Sequence, residues 1–345
     1  MANRTTANFA KAQAKIAMDY NKAELRFTPP STYLALKASG ALMLSNYVEL
    51  RKREDRAIDI NYKLRAKRAL GAGGRTHNHT GVKADTGIIT PSWDIYDDTF
   101  SMSEKQADNS LYNAQEQLNH ELGEMAANFT EGLEGKAIDF VFASRSGVNV
   151  ATVEGAFDLV DDVFKITEST HGNRAIQITK SVMAVNKYSG RNLAVFCDTA
   201  SFNKFESDAA QGAQNSTNLS FQYNGVEFIH SVGLGAKFAP LNAAAGYPLG
   251  AWVVAEKGQY GMLPWIPRQN RNGLDTKVAR YSSFFNPIIG ENLAVHEYWG
   301  SGDESANNGY TQDVLTQYEF SLDQTFVKAP IATANEEVFF AFVLV

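Results

Sequence analysis

Apolar residues recur at helical spacing over one long stretch in the first half of the chain. They lie three, four or seven positions apart, at Leu111, Leu118, Leu122, Met125, Phe129 and Leu133. This spacing predicts one amphipathic helix from roughly Glu104 to Glu131. Ser103, three residues before Gln106, is placed to cap its start, and Gly132 and Gly135 are placed to end it. At about 1.5 Å per residue the helix is about 40 Å long, more than most compact domains need.

Before this helix, strict alternation of apolar and polar residues predicts a long two-stranded arm. Ile58, Ile60, Tyr62 and Leu64 alternate with polar residues, which is the period of a strand. A polar, glycine-rich tip follows at residues 70–81, and the chain returns through residues 88–100. Because an isolated hairpin is only marginally stable in water, we expect something else to support the arm.

The remaining patterns predict a mixture of helices and strands. Helices are expected at 6–26, 153–164 and 176–188, with another beginning at Asp198. Strands are expected at 193–196, 225–232, 251–255, 293–299 and 317–326. Loops are expected at 270–273 and 301–309. The apolar run 338–345 must be buried, because an exposed apolar edge of this kind would aggregate. This order of elements indicates an α+β fold.

An extended run from Gly87 to Ser103, leading into a long helix and then into a mixed segment, resembles the major capsid proteins of tailed bacteriophages. These proteins have the Hong Kong ninety-seven type fold, and the order of segments matches over nearly the whole chain. The resemblance implies these parts: N-terminal arm 1–56, extended loop 57–103, spine helix of the peripheral domain 104–144, axial domain 145–290, and returning peripheral strands with the C-terminal strand 291–345.

The resemblance also implies a function without catalysis and without a cofactor. Identical subunits would assemble into the hexamers and pentamers of an icosahedral head enclosing double-stranded DNA. Scaffolding, portal and decoration proteins would be further partners, and assembly would take place in the host cytoplasm. Some members join a loop lysine to a neighbour's asparagine, and Lys83 is the residue so placed here, although a free surface lysine is the favoured interpretation. An encapsulin-like nanocompartment is the alternative shell.

Charge is divided unevenly along the 345 residues, whose net charge is −6. Through Arg75 the chain has 15 Lys/Arg against 6 Asp/Glu, and the remainder has 17 against 32. We expect the basic segment to lie on the acidic body of an identical neighbour, with nucleic acid as the alternative partner. The predicted contact residues between subunits are Arg51, Arg53, Arg56, Arg65, Arg68, Arg75, Lys83, Trp93, Asp97 and Asp98.

Motifs for catalysis or metal binding are weak. His77 and His79 have no nearby third imidazole or thiolate, and the glycines at 71–74 are not followed by the Lys-Ser/Thr of a phosphate loop. Asp94, Asp97 and Asp98 are better explained as neutralising nearby basic residues or keeping an exposed arm soluble than as the two catalytic carboxylates of a glycosidase. His120-Glu121 lacks zinc-protease spacing, and no Gly-x-Ser-x-Gly occurs. A carbohydrate-active hydrolase using the aromatic segments 260–265 and 298–299 remains the alternative from another class.

The single cysteine, Cys197, lies in an apolar run, so we expect a core residue and no disulfide within the chain. That usage suits a reducing compartment. No apolar signal region and no window of 18 uninterrupted apolar residues is present, so neither export nor membrane insertion is expected.

Overall fold

The computed structural model describes residues 2–22, 27–44, 46–54, 59–63, 86–103, 114–145, 155–186, 188, 190, 192–209, 220–223, 225–242, 249–276, 279–300, 315–330 and 337–345. The helices are α1 (Ala2–Asn21), α2 (Ser31–Met43), α3 (Tyr47–Lys52), α4 (Ala114–Ala143), α5 (Glu168–His171), α6 (Ala175–Val185), α7 (Thr199–Asp208), α8 (Leu234–Phe238) and α9 (Arg268–Asn272). Short 3-10 turns lie at Gly172–Arg174 and Ala239–Asn242.

The strands form one two-stranded, one six-stranded and one seven-stranded sheet. They are β1 (Ile60–Lys63), β2 (Thr86–Ile89), β3 (Asp94–Ser103), β4 (Ala156–Asp158), β5 (Val163–Ile166), β6 (Leu193–Cys197), β7 (Ser220–Tyr223), β8 (Val226–His230), β9 (Gly250–Glu256), β10 (Tyr260–Trp265), β11 (Leu274–Asp275), β12 (Ala279–Asn286), β13 (Glu291–Gly300), β14 (Leu315–Lys328) and β15 (Phe339–Leu344).

The seven-stranded sheet has the order β4-β5-β15-β9-β6-β8-β7 and mixes parallel with antiparallel pairs. Every residue of β6, β9 and β15 is buried. Continuous apolar strands of this kind are typical of a sheet that is covered on both faces. Helices α6 and α7 pack on one face, where the Trp252 and Phe342 rings stack at 5.7 Å. The end of α4 and helix α8 pack on the other face, through Ile138 and Phe238.

The six-stranded sheet is antiparallel, and its outer face is only partly covered. Every residue of β10 and residues 322–325 of β14 are buried, whereas the outer face is open around β3, β13 and residues 317–319 of β14. Its order is β10-β14-β13-β12-β11, and β3 also pairs with β14. Residues 315–321 of β14 pair with both β13 and β3, so these two strands lie on opposite edges of β14. The inner face packs on α1, where Phe9 contacts Phe284 edge to face at 5.7 Å. On the outer face Phe285 is 44% and Tyr298 is 36% exposed.

Helix α4 confirms the predicted amphipathic stripe but not its predicted end. Leu118, Leu122 and Phe129 are buried, and 30 residues give a length of about 45 Å. The helix continues through Gly132 and Gly135, because apolar residues keep burying one face up to Val141 and the two glycines lie on the exposed face. Its predicted start, with Leu111, falls outside the described residues.

The N-terminal helices pack on their own chain, which corrects the prediction of an arm lying on a neighbour. Phe9 and Ile16 of α1 are buried among apolar side chains that α4 and the six-stranded sheet also contribute. Helix α2 touches β10 through backbone, since a Cβ on Gly40 would lie 2.6 Å from the Met262 oxygen. The apolar stripe of these helices finds its partner inside the chain, so their positive charge does not decide their position.

The other short elements are partly as predicted. Helix α6, strand β6 and the Asp198 start of α7 are confirmed, and Asp198 Oδ1 accepts a 2.7 Å hydrogen bond from the Ser201 backbone N–H. The helix predicted at 153–164 is wrong, because β4 and β5 form a hairpin there, with Asp162 in a left-handed turn (φ 53°). The loop predicted at 270–273 contains the end of α9.

Sheet membership also departs from the expected segment bounds. Strand β3, expected as the return of the arm, pairs with β14 over its full length. Strands β10 to β12, expected in the axial segment, belong to the six-stranded sheet, whereas β15 lies in the seven-stranded sheet between β5 and β9. The apolar run at the end is buried as predicted, and so is Cys197. Of the helices described, none is long and apolar enough to span a membrane.

Candidate assembly surface

The predicted arm is present at its base. Strands β1 and β2 pair antiparallel, from Ile60 opposite Ile89 to Lys63 opposite Thr86. Among the described strands they pair only with each other. Ile60 and Ile89 pack against the main apolar core, whereas Ile88 is 61% exposed. The hairpin is therefore anchored at one end, and its predicted tip, with Arg65, Arg68, Arg75 and Lys83, falls outside the described residues.

Three of the predicted contact residues lie together beside this hairpin. Trp93 is half-buried against the main core just before β3, and Asp97 and Asp98 lie on β3. Asp98 accepts a 3.2 Å hydrogen bond from the Asn128 side chain of α4, and Asp97 is exposed. The strand and the helix border an open groove of about 400 Å³, which we call the acidic groove. Its lining includes Ile95, Asp97, Asp98, Asn128, Gly132 and Leu133.

Arg51 and Arg53 lie elsewhere, against their own chain. Arg51 forms an ion pair with the buried carboxylate of Glu291, which also pairs with Lys37 Nζ at 2.7 Å. The Arg53 backbone oxygen accepts hydrogen bonds from Trp265 Nε1 and an Arg271 Nη, both at 2.8 Å. The structure thus gives the Arg51 side chain and the Arg53 backbone intrachain roles that the sequence did not predict, whereas the Arg53 side chain is exposed and stays a predicted contact. Arg56 falls outside the described residues.

The Glu291 cluster fixes α2 and α3 to the start of β13. Lys37 Nζ also donates to the backbone oxygens of Ile289 and Gly290, at 3.0 and 2.8 Å. The hydroxyls of Tyr33 and Tyr47 are buried nearby, and burial raises the pKa of both above the ordinary tyrosine value, with the Glu291 charge as a further cause. No local pattern around residue 291 identifies this acid, because its partners lie about two hundred and fifty residues earlier.

A second buried acid, Glu134 of α4, holds the first turn of α2. Its carboxylate accepts hydrogen bonds from the backbone N–H groups of Thr32 at 3.1 Å and Tyr33 at 2.8 Å. These N–H groups have no partner within their helix, and a helix start favours negative charge. Burial raises the pKa of Glu134 to about 7, and the hydrogen bonds from Thr32 and Tyr33 oppose the rise. Sequence analysis missed this residue.

The arrangement does not favour a carbohydrate site. Tyr260 and Trp265 are buried in the sheet, at 1% and 7% exposure, so neither offers a free ring face to a sugar. His120 is exposed on α4. In the parts of the chain that the structure describes, no group of three or more His, Cys, Asp or Glu is placed to hold a metal ion. His77 and His79 fall outside those parts.

Comparison with known proteins gives a clear likeness in fold. No family model and no curated protein matches the chain. The capsid asymmetric unit of cyanophage Pam1 matches with a TM-score of 0.50 at 10% identity, over 89% of this chain and 92% of that chain. The capsid asymmetric unit of cyanophage A-1(L) matches at 0.49 with 8% identity, over 91% and 92%. Mycobacterium phage Che8 matches at 0.45 with 10% identity, over 89% and 90%.

The last two likenesses have lower TM-scores and add nothing to the first. At 10% identity the Pam1 match shows the fold alone, and it spans nearly the full length of both chains. The chain therefore has the α+β fold of a bacteriophage capsid subunit, which confirms the resemblance predicted from the order of its segments.

Proposed function

We propose that this chain is the major capsid protein of a tailed phage. Many copies would form hexamers and pentamers of an icosahedral head around double-stranded DNA. The observation that carries the proposal is the fold shared with the cyanophage Pam1 capsid subunit over 89% of the chain. A hairpin anchored at one end and an open sheet face support it, because both offer surface to other copies.

The parts of the subunit would divide this work. The seven-stranded sheet, with α6 to α8, would be the axial domain that meets its copies around the centre of a capsomer. The six-stranded sheet, with α4 as the spine, would be the peripheral domain, and β1 and β2 would be the base of the extended loop. Helices α1 and α2 would brace the spine, since they pack along it.

The acidic groove would receive the extended loop of a neighbour. Asp97 and Asp98 give one wall of the groove negative charge, while the loop carries Lys63 and a tip rich in Arg and Lys. Opposite charges of this kind orient association and weaken with salt, because charges are screened over about 8 Å at physiological ionic strength. The predicted contacts of Asp97 and Asp98 would be made here, and that of Trp93 just before β3.

Electron microscopy of the purified protein tests the function directly. We expect closed particles of megadalton mass from the chain, alone or with a scaffolding protein from the same genome. A chain that stays monomeric under both conditions and cleaves glycans would instead support the hydrolase. Closed particles that enclose a protein cargo and no nucleic acid during expression would support the encapsulin-like shell.

The role of the loop is tested by shortening it. Replacing residues 64–85 with an Asn-Gly turn joins Lys63 to Thr86, which are already paired. We expect the subunit to keep its circular dichroism spectrum and to fail in particle formation. As a matched change on the receiving side, Asp97→Asn with Asp98→Asn should lower particle yield without unfolding. Normal particles from the shortened chain would contradict the proposed reach between subunits.

Partners other than identical subunits follow from the same proposal. A head that packages DNA needs a portal, and a scaffolding protein would guide the subunits into a closed shell. Decoration proteins would bind the outer surface, and assembly would take place in the host cytoplasm. Co-expression with neighbouring genes, followed by sedimentation, identifies which of these proteins enter the particle.

A further inference from the structure

A pocket of about 280 Å³ lies where α3 meets the end of β10 and helix α9. Three basic side chains line it, those of Arg51, Lys52 and Arg271, together with Trp265 and Asn292. None of its lining residues is acidic. The contacts proposed between subunits do not use this concave basic surface.

The guanidinium of Arg271 is held in a fixed position. One Nη donates to the Arg51 backbone oxygen at 3.3 Å and the other to the Arg53 oxygen at 2.8 Å. The group lies 5.9 Å from the centre of the Trp265 ring. Its Nε is buried and has no hydrogen-bond partner in the described structure. A guanidinium has five N–H donors, and two of them are used by the backbone oxygens. These two hydrogen bonds fix the orientation of the group, and each Nη keeps a second N–H that can donate to an oxyanion.

The two other basic groups differ in how far they are neutralised. Arg51 and Lys37 both form ion pairs with the Glu291 carboxylate, so one negative charge is shared between two positive charges. Lys52 is exposed and forms no ion pair with any described residue. At the rim Arg53 is exposed, whereas the charge of Arg268 is neutralised by an ion pair with Glu54. Positive charge therefore exceeds negative charge among the residues that line the pocket.

We propose that this pocket binds a phosphate group of a nucleic acid backbone. Arg and Lys donors suit phosphate oxygens, and a basic surface that extends past one pocket suits a polyanion better than a single carboxylate. Trp265 is 7% exposed and cannot stack on a base, so binding is independent of sequence. The inference deepens the proposed capsid function, on which it rests, by naming a contact for the enclosed DNA.

Fluorescence anisotropy with a short double-stranded DNA tests the proposal on the full chain, kept unassembled and checked by sedimentation. We expect Lys52→Gln to weaken binding several-fold and to reduce the slope of log affinity against log salt by about 1. Arg271→Gln should weaken binding more, because it removes the fixed donor. Arg268→Gln is the matched control, since it removes the same charge from α9 outside the pocket and should change affinity less than about twofold.

Competition identifies the source of the oxyanion. Inorganic polyphosphate should displace the DNA, whereas polyglutamate of similar charge should displace it poorly. Equal displacement by polyglutamate would overturn the proposal in favour of an acidic protein partner. Equal losses from Arg268→Gln and Lys52→Gln, or unchanged binding in both Lys52→Gln and Arg271→Gln, would also overturn it. Lys52→Gln should still form normal particles, so a failed pocket and a failed capsid function give different results.

Discussion

The two large sheets of this molecule are built from similar apolar residues but are covered differently. The seven-stranded sheet has helices on both faces, and every residue of its three central strands is buried. In the six-stranded sheet every residue of β10 is buried, but around β3 and β13 the outer face is uncovered and presents Thr99, Tyr298 and Glu319. The first sheet needs nothing outside its own chain, whereas the second leaves a face that can contact other copies.

The strand sequences reflect this difference. Strand β9 reads as an unbroken apolar run, Gly250 to Ala255, as in a sheet with two covered faces. In β3 exposed residues alternate with partly buried ones from Tyr96 to Met102, and in β14 exposed Glu319 lies between buried Tyr318 and Phe320, whereas residues 322–325 are all buried. We call the seven-stranded sheet the closed sheet and the six-stranded sheet the open sheet. A substitution in the closed sheet should therefore affect folding, and a substitution on the outer face of the open sheet should affect assembly. Substitutions on α4 and on each of the two sheets test this distinction.

Leu122→Asp should be the most damaging change, because α4 supports the inner faces of both sheets. Leu122 is fully buried, and an unpaired charge there costs several kcal/mol. Soluble chain should largely disappear from the expression supernatant. Glu116→Gln, on the exposed face of the same helix, should change the free energy of unfolding by less than about 0.5 kcal/mol. Similar losses from both would contradict the orientation of α4.

Trp252→Ala in the seven-stranded sheet should lower stability far more than a matched substitution in the six-stranded sheet. The Trp252 ring is buried and stacks on the Phe342 ring, and its Nε1–H donates a 3.1 Å hydrogen bond to Thr179 Oγ1. Its removal should lower the free energy of unfolding by about 3–5 kcal/mol, measured with urea. The matched change in the open sheet, Tyr298→Ala, should cost less than about 1 kcal/mol and reduce particle yield instead. A large stability loss at Tyr298 would mean that its face is not open.

Raising the pH should weaken the junction between the two regions at Glu134. Burial raises the pKa of Glu134 in the folded chain from an ordinary 4.5 to about 7, so the stability that this group contributes is full below pH 4.5 and is lost as the pH rises to about 7. The loss amounts to about 3 kcal/mol. Glu134→Gln should remove this dependence in urea unfolding at pH 5 and pH 8. An unchanged pH profile in the variant would show that Glu134 is not its source.

Thr99→Lys should have the smallest effect on stability. Thr99 lies on the outer face of the six-stranded sheet, where a lysine side chain reaches water. The free energy of unfolding, measured by thermal denaturation, should change by less than about 0.5 kcal/mol. Particle yield should fall, because the added lysine lies on the face that would contact another copy. Asn203→Lys, exposed on α7 beside the closed sheet, is the control and should leave both unchanged. Equal particle yields from the two variants would remove the distinction between the faces.

Local periodicity was sufficient for the stripe of α4, the hairpin base and strands β6, β8, β9, β13 and β14, but it did not predict β7, β10, β11 or β12. It failed at 153–164, because Phe157, Val160 and Phe164 have helical spacing that two short strands and a turn also produce. The charge pattern predicted that the N-terminal helices lie on a neighbouring subunit, but they pack on their own chain. Buried apolar contacts such as those of Phe9 outweigh the electrostatic field of exposed lysines. Glu134 and Glu291 could not be predicted, because partners about one hundred or more residues away leave no trace in local sequence.

The position of β15 has a consequence for synthesis. This strand lies between β5 and β9, yet it is the last strand in sequence, so a nascent chain has a gap in the seven-stranded sheet until residues 339–344 leave the ribosome. Pairing between residues so distant in sequence is slow and comes late in folding. A chain in which residues 339–344 have not yet emerged therefore lacks the finished seven-stranded sheet and cannot join a growing shell in its native form. Emergence of these residues would set the earliest time of assembly.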